Sequence, residues 1–281
     1  MRLRTPAHAG TFYPATKDEL VRAIEASFTH RLGPGRLPEK AGAGGALPEA
    51  YIVPHAGYMY SGPVAAHAYL DLAESGRPEV VILVGPNHTG LGLAASVWPE
   101  GVWRTPLGDV EVDVEVARLI VEYTGIVAPD EDGHIYEHSI EVNIPFLQYI
   151  YGGDFRIVPI VVLHQTLDIS LRIAAAYSKV RHENGVNTVM IATSDLNHYE
   201  PYEDNKKKDL KLLRAIEEGS PERVFRVIEE EAISACGPSP IVAAVEAGRL
   251  RGIKPRVLAY ANSGDVTGEK AWVVGYPAVK V

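Results

Sequence analysis

Four continuous runs of aliphatic residues, each followed directly by polar residues, constrain the fold of this chain more than any other feature. The runs are rich in Val and Ile and do not alternate with polar residues, and they cover 50–53, 80–84, 157–163 and 188–193. Strands that are buried on both faces of a sheet have this pattern. Segments with helical spacing lie between the runs. The sequence therefore predicts an α/β fold with a largely parallel or mixed central sheet covered on both faces.

The helices are predicted from apolar residues that recur every three to four positions. They cover 63–74, 113–124, 138–151, 167–183, 205–218, 221–234 and 239–249. One more helix is predicted to start at Thr16-Lys17-Asp18-Glu19, which has the form of a capping box.

Other segments indicate turns and loops. Residues 256–260 and 271–276, joined by the turn-rich Asn262-Ser263-Gly264-Asp265, predict a hairpin at the margin of the sheet. Residues 32–48 are rich in Gly, Pro and Ala and predict a surface loop. Because the composition does not shift along the chain, we expect residues 1–281 to form a single domain.

The charge and hydropathy exclude two classes of partner. The net charge is −9, which argues against binding to a nucleic-acid backbone. We find no apolar stretch of the roughly 18 residues that a membrane span needs. The N-terminal residues are not followed by the apolar core of a signal peptide, so a cytoplasmic protein is expected.

Two histidines follow similar turns at the ends of predicted strands. His55 comes after Pro54, and His88 comes after Gly85-Pro86-Asn87. In open α/β sheets the ligand crevice lies beyond the carboxyl ends of the strands. A lone histidine is more often structural than a ligand, but we expect these two strands to be neighbours, which favours a shared site.

The lone cysteine, Cys236, precedes the predicted helix 239–249. The positive end of a helix macrodipole lowers the pKa of a nearby thiol and favours thiolate. A thiolate with two imidazoles suits Fe(II), Zn(II) or copper rather than magnesium or calcium. The alternative is a small buried hydrophobic residue.

Two further groups could take part in proton transfer. Asp195 and His198 follow the run 188–193. This position indicates an acid/base pair, or a pair that orients the metal ligands by hydrogen bonds. The alternative is a capping Asp and a His bound to the backbone. On a helix, His138 and Glu141 would share a face at i, i+3, either as a carboxylate–imidazole pair behind the site or as a surface pair.

Seven motifs in this order resemble the Memo family, whose prokaryotic members are called AmmeMemoRadiSam system protein B. They are HAGTFYP (8–14), PHAGY (54–58), GPNH (85–88), TPLG (105–108), EHSIE (137–141), SDLNH (194–198) and ACG (235–237). The resemblance runs from about residue 5 to the C-terminus.

The resemblance implies a three-layer α/β/α fold like that of the class III extradiol dioxygenases (LigB-like). It implies that His55, His88 and Cys236 are metal ligands, with iron expected first and copper or zinc as alternatives. Asp195 and His198 match the acid/base region of the dioxygenases. Those enzymes use a carboxylate where this chain has Cys236, and a thiolate changes the electronics of iron and is itself oxidisable.

The resulting hypotheses differ in chemistry. The first is a metal-dependent redox or oxygenase-like enzyme with Asp195, His198 and His138 as catalytic residues. By family association it would act with radical-SAM and AMMECR-type partners. The alternative is a non-catalytic module that binds a peptide or small ligand in the same crevice. A third is a hydrolase with a metal-activated water, or with Cys236 as a nucleophile beside a histidine.

Overall fold

Strands and helices alternate along the chain, as described by a computed structural model for residues 2–39 and 45–281. Numbered in chain order, the strands are β1 (Leu3–Arg4), β2 (Ala50–Val53), β3 (Val80–Pro86), β4 (Ala95–Val97), β5 (Val102–Thr105), β6 (Gly108–Glu111), β7 (Ala128–Pro129), β8 (Arg156–Val162), β9 (Thr188–Thr193), β10 (His198–Glu200), β11 (Arg256–Asn262) and β12 (Val273–Lys280).

The α-helices are α1 (Lys17–Thr29), α2 (Tyr58–Ser75), α3 (Val114–Thr124), α4 (Asp132–Ile135), α5 (Ile144–Tyr151), α6 (Leu167–Ser178), α7 (Tyr202–Glu218), α8 (Pro221–Glu230), α9 (Pro238–Arg249) and α10 (Ser263–Thr267). A 3₁₀ turn, Glu141–Asn143, precedes α5, and a π turn, Lys179–Glu183, follows α6.

The central sheet is mixed, with a parallel middle. Among the described residues, nine strands join in the order β10-β12-β2-β9-β3-β8-β4-β7, with β11 paired to β12. The adjacent strands β2, β9, β3 and β8 are parallel, whereas β12 and β4 run antiparallel to β2 and β8. The prediction that the two histidine-bearing strands are neighbours is wrong, because β9 lies between β2 and β3. A smaller sheet, β1-β5-β6, was not predicted, because its strands have only two to four residues.

Alternate side chains of the central strands pack into two separate cores. Ile82 and Val84 of β3 lie in a core with α3, α6, α8 and α9, whereas Val81 and Leu83 lie in a core with α1, α2 and α5. Successive residues of a strand point to opposite faces, so a strand buried on both sides must be apolar throughout. The predicted three-layer α/β/α class is confirmed.

Several predicted helix ends differ from the structure. The capping box is not formed, because the Thr16 hydroxyl donates to the Glu19 carboxylate at 2.6 Å and does not cap the backbone. Helix α2 begins at Tyr58 and contains Pro63 in its interior. The predicted helix 167–183 changes to a π turn after Ser178, where Arg181 donates to the carbonyls of three residues outside the helix: Leu47, Pro48 and Thr188.

The hairpin prediction is confirmed, since β11 and β12 form an antiparallel pair whose connection contains α10. Residues 32–39 and 45–48 contain neither helix nor strand, and the rest of the predicted loop, 40–44, lies outside the described residues, as does Met1. None of the described helices has the length and apolar character needed to cross a membrane. That residues 1–281 form a single Memo-like domain stays a prediction.

Candidate metal centre

The ends of three adjacent parallel strands bring the predicted ligands together. His55 follows β2, His88 follows β3, and Asp195 follows β9, which lies between those two strands. Cys236 reaches the same place from the turn before α9, where its amide donates to the Asp195 carbonyl at 3.3 Å. The strand-end argument therefore predicted the location of the two histidines, whereas Cys236 was added to them from its position before a helix and its donor chemistry, and the resemblance implied the same three residues.

His55, His88 and Cys236 form a group that could hold a metal ion. One ligand atom from each lies within 4.8 Å of the others. His55 Nε2 is 3.0 Å from Cys236 Sγ, a hydrogen-bond distance. A tetrahedral ion with ordinary Zn–S and Zn–N bonds separates two such atoms by about 3.6 Å. The pair would need to open by about 0.6 Å, which a small rotation of the Cys236 side chain would provide.

The His55 ring is fixed by bonds on its other side. Its Nδ1 lies 2.7 Å from Thr193 Oγ1, and its backbone N–H donates to Asp195 Oδ1 at 2.9 Å. Burial, together with the nearby imidazoles of His138 and His88, holds the pKa of His55 well below its usual range. The ring is therefore neutral, which is the form that binds a metal.

His88 is oriented by a carboxylate that the sequence reasoning did not assign to it. Its Nδ1 lies 2.8 Å from Glu137 Oε1, and its backbone N–H donates to the same carboxylate. Burial opposes ionisation of Glu137, but these bonds outweigh it and lower the pKa of Glu137 to about 2. A carboxylate on the far nitrogen of a ligand histidine fixes its tautomer, so Nε2 is left for a metal.

A second group that could hold an ion shares His88 and consists of His88, Glu137 and His138. In this group the carboxylate is already occupied, since Ser139 N–H also donates to Glu137 Oε1 at 2.8 Å. The hydrogen bonds fit Glu137 as the partner of a ligand better than as a ligand. We therefore take His55, His88 and Cys236 as the candidate centre.

The prediction that the helix dipole lowers the Cys236 pKa is wrong for the metal-free protein. Burial and the nearby Asp195 carboxylate raise the pKa of the thiol well above its usual range. The bonds that favour thiolate, including one from Asp195 N–H to Sγ at 3.2 Å, do not outweigh the loss of water.

His138 lies beside the ligands, although the predicted pair with Glu141 is not formed. Its ring stacks on His88 with centroids 4.5 Å apart, and it lies at a tilt to the Phe12 ring with centroids 4.4 Å apart. Burial lowers the pKa of His138 to about 4. Glu141 is instead bound to the buried Arg4 guanidinium. The predicted helix 138–151 begins only at Ile144, so His138 and Glu141 both lie before it.

Asp195 and His198 line the same cavity but their side chains are not hydrogen-bonded to each other. His198 Nδ1 lies 2.9 Å from the Ser234 carbonyl, so the ring is bound to the backbone on one side, and the acid/base role of His198 stays a prediction. Burial raises the pKa of Asp195 to about 6, against the effect of its bond from the His55 backbone. With Nδ1 occupied, the other ring nitrogen of His198 is available to exchange a proton with a ligand.

The candidate centre lies in a cavity of about 1040 Å³. Besides His55, His88, His138, Asp195, His198 and Cys236, several aromatic side chains line it. These are Phe12, Tyr60, Tyr199, Trp272 and Tyr276. The volume is at the upper end of the range for small-molecule sites.

Comparison with known proteins supports one family. The sequence matches the family model for Memo-like proteins over residues 4–280. A MEMO1 family protein of Aeropyrum pernix is 76% identical over 281 residues and is covered completely, as is this chain. MEMO1 family proteins of Sulfolobus acidocaldarius and Ignicoccus hospitalis are 47% and 46% identical, with at least 99% of each chain covered.

The fold is also similar to a solved structure of an uncharacterized protein from Escherichia coli K12. The TM-score is 0.57 at 12% sequence identity, and the match covers 83% of this chain and 98% of that one. At this identity the similarity concerns the fold alone.

Proposed function

The chain belongs to the Memo-like protein family, and from that premise we propose that it is a mononuclear metal-binding protein with redox or oxygenase-like activity. The observation that carries the proposal is the arrangement of hydrogen bonds around the two rings. Thr193 and Glu137 occupy the Nδ1 atoms of His55 and His88, which leaves the Nε2 atoms for a shared ion.

The donor set favours a transition metal. Two neutral imidazoles and one thiolate suit iron, copper or zinc, and iron is our first choice. Three protein ligands leave at least one coordination position for a substrate, and a redox metal there would supply electron transfer. The protein residues supply the rest: Glu137 orients His88, and His198 moves a proton at its free ring nitrogen. Asp195 holds the backbone of His55, and His138 packs against His88.

The lone cysteine gives a direct test of metal binding. We expect anaerobically purified protein to bind close to one equivalent of Fe(II) or Zn(II). The bound metal should protect the Cys236 thiol, so the rate of alkylation should fall as metal is added. Metal content and the alkylation rate would be measured on the same samples. Because Cys236 is the only cysteine, all labelling reports on this site.

The alkylation experiment also separates a ligand from a nucleophile. The 3.0 Å contact between Cys236 and His55 would suit a thiol nucleophile with its base. Fast labelling of the metal-loaded protein would support that hydrolase chemistry. No uptake of Fe(II), Cu(I) or Zn(II) would contradict the metal proposal.

His198→Ala tests the acid/base role. We expect this variant to keep its metal, because His198 is not in the ligand group, and to lose about 10²–10⁴-fold in turnover of any substrate whose oxidation needs a proton transfer. Metal content and steady-state kinetics would be compared with wild type. Normal turnover in His198→Ala would remove His198 from the mechanism.

The size of the cavity favours a second candidate function, a non-catalytic module that binds a peptide or small ligand. The two functions differ in whether affinity for the ligand survives removal of the metal. A cytoplasmic location and cooperation with radical-SAM and AMMECR-type proteins are part of the first proposal, the metal-dependent redox protein. Both depend on family association.

A further inference from the structure

The cavity continues well beyond the candidate metal centre to a rim of exposed aromatic side chains. Tyr199 and Trp272 are 67% and 68% exposed, and Tyr60 also lines the cavity. An apolar cavity of about 150 Å³ is enough to bind benzene. A cavity of about 1040 Å³ therefore has room for much more than one ring at the metal. The aromatic rim could therefore contact a part of a ligand that does not reach the metal centre.

The backbone at Tyr199 is arranged to present its ring to the cavity. Successive residues of a strand normally point to opposite faces, yet His198 and Tyr199 both line the cavity. The pairing of β10 with β12 shifts register between His198 and Glu200, and Tyr199 has φ 56°, in the left-handed region. A bulge can redirect a side chain in this way, and positive φ strains any residue with a Cβ.

The charges of the cavity restrict what the rim can bind. Among the lining residues Glu269 is exposed and Asp195 is buried, and none of the described lining residues is a lysine or arginine. Phosphate and carboxylate groups are usually bound by such cations. The lining thus offers an anion no cationic side chain other than histidine. An aromatic face, by contrast, attracts a cation or another ring.

We infer that the part of the cavity lined by the exposed rings of Tyr199 and Trp272 binds a planar ring that is uncharged or positively charged. The ring belongs to a ligand whose other end reaches the His55–His88–Cys236 centre, and in that respect the inference rests on the proposed function. The bulge at Tyr199 and the exposed indole of Trp272 would both contact this ring.

Three naphthalene probes with a positive, a neutral and a negative substituent test the inference: 2-naphthylmethylammonium, 2-naphthol and 2-naphthoate. Calorimetric titration of the full chain in its metal-free form, in which no metal can coordinate the carboxylate, should give affinities at least about tenfold higher for the cation and the neutral probe than for the anion. Trp272→Ala and Tyr199→Gly should each weaken the cation by roughly two- to tenfold, since each removes one stacking face.

The variants are chosen so that loss of fold is not mistaken for loss of binding. Glycine adopts positive φ without strain, so Tyr199→Gly should unfold at no lower urea concentration than wild type. Tyr136→Ala is the matched control, because Tyr136 is 63% exposed and lies outside the cavity. Its affinities should be unchanged.

Each outcome is decisive for the ring site. Equal affinity for 2-naphthoate and 2-naphthylmethylammonium would overturn the inference, as would unchanged binding in both Trp272→Ala and Tyr199→Gly. The metal content of every sample reports separately on the proposed function. If the wild type takes up no metal but the probes discriminate as expected, the metal proposal fails while the ring site stands.

Discussion

Replacing Cys236 with serine, or His55 or His88 with alanine, is expected to lower the affinity for Fe(II) or Zn(II) by about 10²–10³-fold. Structural zinc sites bind with roughly 10–16 kcal/mol shared among four ligands, so one ligand contributes about 2.5–4 kcal/mol. Glu137→Gln should cost less, about 10–100-fold, because Glu137 orients His88 and does not itself bind the ion.

Two further histidine variants, His138→Ala and His164→Ala, show which of the two candidate groups holds the metal. His138→Ala should keep the metal if His55, His88 and Cys236 are the ligands, and should lose it if His88, Glu137 and His138 hold the ion instead. His164→Ala is the control, since His164 also follows a central strand but is exposed and does not line the cavity. Competition with a metal-binding dye would give the affinities. A loss in His138→Ala without a loss in Cys236→Ser would transfer the centre to the second group.

The central strands were predictable from sequence because burial on both faces leaves a continuous aliphatic pattern. The site was predictable to the same extent, since polar residues after parallel strands must meet at one edge of the sheet. His55 and His88 approach each other across the end of β9, even though their strands are not neighbours. The order of parallel strands in a sheet is set by the crossover connections between them. The aliphatic runs that form β2 and β3 do not contain that information.

What could not be predicted depends on contacts between distant residues. Glu137 reaches His88 from a turn 49 positions later, and no periodic pattern marks a turn as the partner of a ligand. The pKa of Cys236 is raised, whereas the sequence predicted that it would be lowered, and the reason is related. The helix dipole can be inferred from sequence, but the burial that outweighs it arises only when the chain folds around the thiol.

Removal of the buried Arg4 side chain is expected to have the largest effect on stability. Arg4 and Glu141 form an ion pair in which the side chains are 2% and 1% exposed. Arg4 also donates to the carbonyls of His134 and Glu137, at 3.0 and 2.7 Å. Arg4→Met should lower the free energy of unfolding by roughly 3–5 kcal/mol, because the Glu141 carboxylate would stay buried without its cation.

A double variant distinguishes the buried charge from the loss of packing. Glu141 would still accept hydrogen bonds from Tyr13 and from the amides of Ala7 and His8. Replacing it as well, in Arg4→Met/Glu141→Gln, removes the uncompensated charge and should leave the protein more stable than the sum of the two single variants predicts. Purely additive losses would mean that the two charges do not interact.

The matched control is an ion pair of ordinary length on the surface. Arg172 lies 2.9 Å from Asp168, and both side chains are more than half exposed, so Arg172→Ala should change the free energy of unfolding by less than about 1 kcal/mol. Urea denaturation would be followed for all four variants.

The Arg4 guanidinium also fixes the carbonyl of Glu137, whose carboxylate orients His88. A less stable Arg4→Met protein should therefore also bind metal more weakly, whereas Arg172→Ala should not. If Arg4→Met is no less stable than Arg172→Ala, the N-terminal strand does not support the metal centre in this way.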